Sequence, residues 1–383
     1  MIKSGIRIAL ALFLLPFLLE ANSQTVADDS NTSKQKGWPI FRGDTLANGV
    51  AGSPLAERPE VLWRFEVPEG AFEGTAAIVD GVVYLGDLDG SLYALNLSDG
   101  TERWKYEIDG GFPSSPAVRD GRIYIGDYDG WFHCVDAKTG AELWRFETQA
   151  EINACANFFE DNVLVGSQDA TLYCLDAVSG KLVWKYEIQD QIRCAPTIVD
   201  GRAFLAGCDG LLHIIDVKEG KGIASVPINA PTGVTPAAKG DFVYFGNENG
   251  EMFSVNWKTA KVAWTYTDPK RWQPIRSSPA VNDEFVVYGS RSKRIYAINP
   301  KDGQEIWTFP TKQRVDSSPV IVGDRAFVGS SSGRLYALDL SKGKKQWEYE
   351  TGSGFVSSPA VAQNRLVIAN DDGVVYCFGS KAE

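Results

Sequence analysis

Residues 91–107 read SLYALNLSDGTERWKYE, and the pattern returns at 131–147 as WFHCVDAKTGAELWRFE and at 171–187 as TLYCLDAVSGKLVWKYE. Each copy holds an alternating apolar segment, a turn that contains Asp or Asn and a glycine, and a second segment with a tryptophan. Alternation interrupted by glycine turns is typical of β-hairpins. The constant step of 40 residues indicates that the chain is built from repeats.

The tryptophan marks the repeat along most of the chain. It recurs at steps of 40 to 43 residues, and Ala224 stands in the one vacant position. We expect these rings to pack between neighbouring units. Because unit four lacks the ring, we expect it to be locally looser or refilled by its neighbours. The tryptophans of the series are Trp63, Trp104, Trp144, Trp184, Trp264, Trp307 and Trp347.

A second mark is a Ser-Ser-Pro-Ala-like segment at the start of each unit. Proline has no N–H to donate, so within a sheet it is tolerated at an edge. This predicts that the strand carrying it is the innermost of its unit and lines a central channel. The recurring residues are Pro116, Pro196, Pro236, Pro279, Pro319 and Pro359, with Ala76 and Ala156 in the other two units. The eight inner strands begin near Thr75, Ser115, Cys155, Ala195, Thr235, Ser278, Ser318 and Ser358.

Eight units of four short strands predict an all-β fold, an eight-bladed β-propeller of four-stranded antiparallel blades. The last unit stops near Phe378 without a tryptophan strand, whereas Trp63 comes before the first strand of the first unit. Residues 62–67 are therefore expected to complete blade eight as an N-terminal strand that closes the ring and protects its sheet edges. The propeller is expected to span residues 38–383 as a single domain.

The first residues have the character of an export signal. Lys3 and Arg7 precede an apolar stretch over residues 8–19, and small residues follow at 21–23. That stretch is too short for a membrane-spanning helix, which needs about 20 residues. We interpret residues 1–23 as a signal peptide and 24–37 as a flexible leader, with an uncleaved anchor as the alternative. The mature chain is expected in the periplasm or cell envelope, without a transmembrane span.

Charge and composition narrow the possible functions. The formal net charge of −11 argues against nucleic acid and anionic membranes as partners. The two histidines, His133 and His213, occupy a position that other units give to tyrosine, so we expect them to pack rather than to catalyse. The Asp87-x-Asp89-Gly90 segment resembles part of a calcium loop but lacks the further ligands, and we interpret it as a hairpin turn. We assign no catalytic and no metal-binding residue.

The repeated Ser-Ser-Pro-Ala, Gly-x-Leu-Tyr-Ala-Leu-Asp and Thr-Gly-x-x-x-Trp motifs resemble the PQQ-type β-propeller repeat of bacterial secreted proteins over residues 60–380. Residues 38–43, WPIFRG, resemble a lead-in of the same group. The resemblance implies one of two functions. One is that of the quinoprotein alcohol and sugar dehydrogenases, and the other is that of the non-enzymatic BamB-type branch, which scaffolds outer-membrane protein assembly. Fold alone does not choose between them.

The enzymatic branch implies a disulfide between adjacent cysteines, a Ca²⁺ site of Glu, Asn and Asp, an Asp base and a tryptophan under the quinone. The closest cysteines here, Cys194 and Cys208, are 14 residues apart. Cys155 and Cys194, in neighbouring inner strands, are the one pair that could form a disulfide, and the repeated position of three others favours free thiols. We therefore expect neither PQQ nor calcium and predict a monomeric, non-catalytic scaffold for a protein partner. A PQQ-dependent dehydrogenase that uses the central funnel is the alternative.

The loops that enter the inner strands should surround the channel mouth, where propellers usually bind. One loop carries an insertion, residues 268–274, and brings basic and aromatic residues with it. The loops of units one to three instead carry Glu69, Glu73, Asp109 and Glu151. The predicted binding residues of the mouth are Arg193, Lys270, Arg271, Trp272, Arg276, Lys312 and Arg314.

Within that set we hypothesise a recognition edge for an acidic peptide or anionic group. Arginine binds carboxylates through two parallel hydrogen bonds, and an exposed tryptophan is a frequent binding hot spot. The alternative is that these charges are solvated and paired with Asp268 and Asp316. The edge consists of Arg271, Trp272, Arg276 and Arg314.

Overall fold

The computed structural model describes residues 1–2 and 37–381 of the 383-residue chain. The predicted signal peptide and leader lie outside these described residues, except for residues 1, 2 and 37. In the described ranges, no helix has the length and apolar character needed to cross a bilayer.

The regular elements of the described residues are short β-strands. Two of them precede the first blade: β1 (Val50–Ala51) and β2 (Glu60–Glu66). The others follow in seven sets of four and a final set of three: β3 (Ala77–Val79), β4 (Val82–Gly86), β5 (Ser91–Asn96), β6 (Glu102–Glu107); β7 (Ala117–Arg119), β8 (Arg122–Gly126), β9 (Trp131–Asp136), β10 (Glu142–Glu147); β11 (Asn157–Phe159), β12 (Asn162–Gly166), β13 (Thr171–Asp176), β14 (Leu182–Glu187); β15 (Thr197–Val199), β16 (Arg202–Ala206), β17 (Leu211–Asp216), β18 (Lys221–Pro227); β19 (Ala237–Lys239), β20 (Phe242–Gly246), β21 (Met252–Asn256), β22 (Lys261–Tyr266); β23 (Ala280–Val281), β24 (Val286–Ser290), β25 (Arg294–Ile298), β26 (Glu305–Pro310); β27 (Val320–Val322), β28 (Arg325–Ser330), β29 (Arg334–Asp339), β30 (Lys345–Glu350); β31 (Ala360–Ala362), β32 (Arg365–Ala369), β33 (Val374–Gly379).

Each set forms one antiparallel sheet, a blade, whose strands follow one another outwards from the channel. Blades 1 to 8 begin with the inner strands β3, β7, β11, β15, β19, β23, β27 and β31. Blade 8 is completed by β2, which pairs antiparallel with β33 and places Trp63 opposite Cys377. The predicted eight-bladed propeller and its closure by an N-terminal strand are therefore confirmed.

The seam between neighbouring blades is built around the repeated tryptophan. In the first seam, Trp63 Nε1 donates to the backbone carbonyl of Leu97 in the next blade at 2.9 Å. Gly100 lies beneath the ring with φ +75°, and a Cβ there would come within 2.6 Å of it. Only glycine satisfies both conditions without strain. Gly140, Gly180, Gly220, Gly303 and Gly343 lie in the same way against the preceding tryptophan.

The seam between blades 4 and 5 departs from this pattern. Ala224 stands in place of the tryptophan, and Ala260 stands in place of the glycine that would lie beneath it. Blade 5 supplies the missing ring, because buried Trp257 packs with Phe204, Ala224 and Ala260, with its ring centroid 5.8 Å from that of Phe204. Of the two outcomes expected for unit four, the structure shows refilling by a neighbour.

A belt of hydrogen bonds joins the blades around the channel at the residues predicted to begin the inner strands. In seven of the eight belt residues, the backbone N–H donates to the side chain of the next belt residue, as from Thr75 to Ser115 Oγ at 2.8 Å. The last link runs from Ser358 to Thr75 Oγ1 at 3.1 Å and closes the circle. Ala195 has no hydroxyl to accept from Cys155, so that link is missing. The belt consists of Thr75, Ser115, Cys155, Ala195, Thr235, Ser278, Ser318 and Ser358.

Residues 38–53, which we call the strap, run past the inner strands of all eight blades in order. The strap bonds to blade 1 through Trp38 and Ile78, and β1 pairs parallel with β27 in blade 7. Five strap carbonyls accept from inner-strand N–H groups of blades 2, 4, 5, 6 and 7 at 2.7–2.9 Å. In blades 3 and 8 the bonds instead involve the side chains of Asn157 and Ser53. The strap thus satisfies edge groups that would otherwise be left unpaired.

The two histidines are buried against acidic side chains. His133 Nε2 lies 2.9 Å from Asp127 Oδ2, and His213 Nε2 lies at the same distance from Asp209 Oδ2. In blade 1, Tyr93 makes the equivalent contact to one carboxylate oxygen of Asp87. The other oxygen of Asp87 accepts hydrogen bonds from backbone N–H groups of the β4–β5 turn. The hairpin interpretation of Asp87-x-Asp89-Gly90 is thus confirmed. The expectation that the histidines pack is also met, although each has a carboxylate partner that the sequence analysis did not assign.

Candidate functional site

The channel holds a cavity of about 380 Å³. Its wall consists of the belt and of the residues two positions before each belt residue, which we call the mouth ring. Gly74, Phe41, Arg291 and Arg314 complete the lining. The mouth ring consists of Glu73, Pro113, Asn153, Arg193, Gly233, Arg276, Asp316 and Val356.

The cavity has one open and one closed end. Along each inner strand the mouth ring comes two residues before the belt, whereas the strap bonds to the residue three after it. Between its bonds to blades 2 and 4, the strap reaches across the channel through Arg42 to the backbone carbonyls of Pro279 and Pro319, one residue after the belt, and so closes that end. Phe41 of the strap lines the cavity from the closed side.

Arg42 anchors the closed end. Its side chain is 1% exposed, and Nη2 donates to the backbone carbonyls of Pro279 and Pro319 in blades 6 and 7. Burial lowers the pKa of Arg42 to about 9, partly offset by nearby Asp44, so the guanidinium remains charged at neutral pH. Its Nε and Nη1 have no partner among the described residues.

The cavity is basic although the protein is acidic. Its lining carries four arginines and two carboxylates, whereas the whole chain has a net charge of −11. A concave site lined by one predominant sign of charge concentrates ligands of the opposite sign. The charged residues are Arg193, Arg276, Arg291, Arg314, Glu73 and Asp316.

The arginines of blades 6 and 7 are paired. Arg291 binds both oxygens of Asp316, at 2.9 and 2.8 Å, and Arg314 Nε lies 3.1 Å from the same carboxylate. Arg276 Nε donates to Glu248 at 2.8 Å. The pairing with Asp316 considered in the sequence analysis is therefore present. Two arginines on one carboxylate still leave an excess positive charge at this side of the mouth.

Arg193 in blade 4 differs from these arginines. Its guanidinium donates to the neutral side chain of Gln191, and none of the described carboxylates forms an ion pair with it. Next along the mouth ring stands Gly233, and the Arg193 side chain packs against it, because a Cβ there would come within 3.2 Å of the Arg193 Cβ. Arg193 is thus exposed, charged and available to a ligand.

The opposite part of the mouth is acidic. Glu73 in blade 1 lines the cavity, and partial burial raises the pKa of its carboxyl group. Burial also raises the pKa of nearby Tyr128, with further contributions from the charges of Glu73 and Glu151. No ion pair to Glu73 is formed by the residues that the structure describes. The mouth is therefore polarised between blades 1 to 3 and blades 4 to 7.

The predicted binding residues divide into two groups. Arg193, Arg276 and Arg314 line the cavity, whereas Lys270, Arg271, Trp272 and Lys312 do not. The inserted loop is held against its own blade, because Asp268 accepts from the backbone of Lys270 and Arg271 and from the hydroxyl of Tyr296. Arg271 also lies 3.7 Å from Asp268, as the paired alternative expected. Of the predicted recognition edge, Arg276 and Arg314 line the cavity, whereas Arg271 and Trp272 lie outside its lining.

Trp272 remains prominent on this loop. It is 57% exposed, whereas the other ten tryptophans, all within the described residues, are buried or partly buried. An exposed tryptophan beside a cationic mouth is suited to contact a partner.

The sequence analysis missed Arg291 and Arg42 as channel residues. Arg291 follows β24 at the same repeat position as Glu248 after β20, and Glu248 pairs with Arg276 of the mouth ring. Aligning that turn across the repeats would have placed Arg291 at the mouth. For Arg42 the chain offers no such signal, because it contacts residues more than 230 positions away.

The resemblance to quinoprotein dehydrogenases implies a calcium-bound quinone, and the cavity offers two carboxylates, Glu73 and Asp316. Asp316 is held by two arginines, and Glu73 lies two blades away from it around the ring. Within residues 1–2 and 37–381, no three His, Cys, Asp or Glu side chains converge as a metal site. All six cysteines, including Cys155 and Cys194, are unpaired.

Sequence comparison identifies one family. The family described as outer membrane protein assembly factor BamB matches residues 55–151, 128–293 and 291–381, which together span most of the propeller. No curated protein shows significant similarity to the chain.

Solved structures share the fold at low sequence identity. BamB from Moraxella catarrhalis has a TM-score of 0.72 and 19% identity, over 84% of this chain and 100% of that one. The quinohemoprotein alcohol dehydrogenase of Comamonas testosteroni has a TM-score of 0.78 and 14% identity, over 92% and 82%. The computationally designed protein Ika8 has a TM-score of 0.75 and 17% identity, over 84% and 100%. These likenesses concern the fold alone.

Proposed function

The chain belongs to the family of the outer membrane protein assembly factor BamB, and from this premise we propose that it is an exported, non-catalytic binding scaffold of the cell envelope. Its open channel end takes an acidic segment of a partner protein. The observation that carries the proposal is the arginine-lined cavity at the mouth of an otherwise acidic protein.

The chemistry of the mouth favours carboxylate ligands. Arginine presents a planar array of donors that matches a carboxylate, and charge-assisted hydrogen bonds of this kind are among the stronger ones in proteins. Arg193 can engage without breaking an existing ion pair. Arg276 and Arg314 are about half exposed and can rearrange. Because exposed ion pairs contribute little free energy, replacing their present carboxylate partners with those of a ligand costs little.

The shape of the site favours binding over catalysis. The cavity is a rigid cup, because the belt and the strap fix its wall and its closed end. Its charged groups are four arginines, the paired carboxylate of Asp316 and the unpaired carboxylate of Glu73. Exposed Trp272 beside the mouth extends the contact surface beyond the cup.

The proposal is tested by calorimetric titration of a short peptide of alternating Glu and Gly, with a free amino terminus and an amidated carboxyl end, at low ionic strength. We expect binding to the wild-type protein and none of comparable strength for the equivalent Lys–Gly peptide. A double variant, Arg193→Ala with Arg276→Ala, should bind the acidic peptide at least about tenfold more weakly, because it loses two charge-assisted contacts.

A matched control removes two positive charges elsewhere. Lys218 and Lys221 are exposed, line no part of the cavity, and pair with Glu160 and Glu219. The Lys218→Ala, Lys221→Ala variant should bind like the wild type. Absence of acidic-peptide binding, or equal weakening in both double variants, would overturn the proposed function.

A further inference from the structure

Two opposite charges of the mouth ring have no ionic partner in the described structure. Arg193 in blade 4 binds only neutral Gln191, and Glu73 in blade 1 forms no ion pair. Both line the same cavity, three blades apart around the ring, and both are exposed to a ligand there. Every other charged residue of the lining has a partner: Arg276 with Glu248, and Arg291 and Arg314 with Asp316.

These two charges favour a ligand with both signs. A purely anionic ligand would satisfy Arg193 but would bring negative charge towards Glu73, which is already partly desolvated. A purely cationic ligand would have the opposite conflict with the arginines. A ligand that carries an ammonium close to a carboxylate satisfies both residues at once.

The cavity also favours the end of a chain over its middle. Phe41 and the strap close the channel below the belt, so a peptide cannot pass through. A segment that enters must therefore end inside the cup or turn back, and a volume of about 380 Å³ is small for a turn. Of the two ends of a peptide, only the amino terminus supplies an ammonium. A carboxyl terminus would leave Glu73 without a partner.

We propose that the acidic segment enters the cup by its free amino terminus, with the ammonium on Glu73 and a carboxylate of the first residues on Arg193. The inference rests on the proposed function, since it specifies which end of the acidic segment enters the cup. It predicts recognition of an unblocked, acidic amino terminus, as exposed when a leader is cleaved from a partner protein.

The test compares the free Glu–Gly peptide with its N-acetylated form on the same protein. Acetylation removes the ammonium and leaves the carboxylates, and we expect it to weaken binding roughly tenfold to hundredfold, the equivalent of one charge-assisted contact. In the Glu73→Gln variant the difference in affinity between the free and the acetylated peptide should disappear, because the carboxylate that binds the ammonium is absent. In Arg193→Gln both peptides should weaken by a similar factor. Thermal unfolding of each variant establishes that it is folded.

The outcomes separate the two proposals. Equal binding of the free and acetylated peptides would overturn the amino-terminal assignment and leave the acidic-segment function standing. A preference for the free peptide that persists in Glu73→Gln would likewise overturn it. Absence of binding of either peptide would overturn both. Free glutamate that binds as tightly as the free peptide would overturn the assignment to a chain end, since a small zwitterion would then suffice.

Discussion

The two ends of the central channel are built from the same eight inner strands, yet they use them differently. At the closed end, the strap accepts hydrogen bonds from equivalent backbone N–H groups in blade after blade. At the open end, the mouth ring presents a different side chain from nearly every blade, from Glu73 through Arg193 to Val356.

The difference shows where function can be encoded in a repeat protein. Backbone hydrogen bonding requires the same geometry in each unit, so the closed end follows the repeat. The fold makes no such demand on the mouth ring, where side chains such as Arg276 and Asp316 bond to other side chains instead of to the repeated backbone. Under the proposed function, individual charges at those positions serve a ligand rather than stability.

The largest expected effect comes from replacing a tryptophan by alanine, once at each end of the channel. Trp38 of the strap is 1% exposed, and Trp272 beside the mouth is 57% exposed. Trp38→Ala should lower the free energy of unfolding by about 3–5 kcal/mol, because it leaves a cavity in the core. Trp272→Ala should change it by less than about 0.5 kcal/mol. Urea denaturation followed by circular dichroism measures both, and similar losses would contradict the distinction between the ends.

A smaller effect tests the belt that separates the two ends. Ser318 Oγ accepts the buried N–H of Ser278 at 2.9 Å. Ser318→Ala leaves that donor unsatisfied and should cost about 1–3 kcal/mol in denaturant unfolding. Ser98, which is exposed and outside the belt, provides the control. If Ser98→Ala costs as much, the belt contributes nothing specific.

The missing belt link gives a change of opposite sign. Ala195 is the one belt residue without a group that can accept a hydrogen bond from the blade before it. Ala195→Ser would offer its hydroxyl to the N–H of Cys155 and should raise the free energy of unfolding by about 0.5–1.5 kcal/mol. A melting temperature below that of the wild type would show that the added oxygen does not fit.

The smallest effect concerns pH at the open end. Burial raises the pKa of Glu73, so the folded protein holds its proton more tightly than the unfolded chain does. The free energy of unfolding should therefore fall as pH rises through the range above the ordinary glutamate pKa. The Glu73→Gln variant cannot ionise at this position and therefore avoids this fall in the free energy of unfolding. It should be slightly more stable than the wild type at pH 7 and equally stable below about pH 4. A variant less stable at pH 7 would mean that Glu73 supports the fold.

Much of this architecture could be predicted from the repeat. The period, the innermost strand, the closure by the segment around Trp63 and three arginines of the cavity all follow from spacing. The paired exceptions Ala224 and Ala260 were visible too, but their compensation by Trp257 depends on packing between blades.

The remaining features depend on contacts that no periodicity contains. Arg42 reaches carbonyls of blades 6 and 7 from the start of the chain. The inserted loop was expected at the mouth because of its charge and length. Its contact with blade 6 comes from the hydroxyl of Tyr296, which donates to Asp268.

The most direct measurement of the central claim is a crystal structure of the protein with the free acidic peptide bound. The account predicts the peptide in the cup above Phe41, with a carboxylate within hydrogen-bonding distance of Arg193. A peptide bound at the strap or on the outer strands, with the cup holding only water, would contradict it.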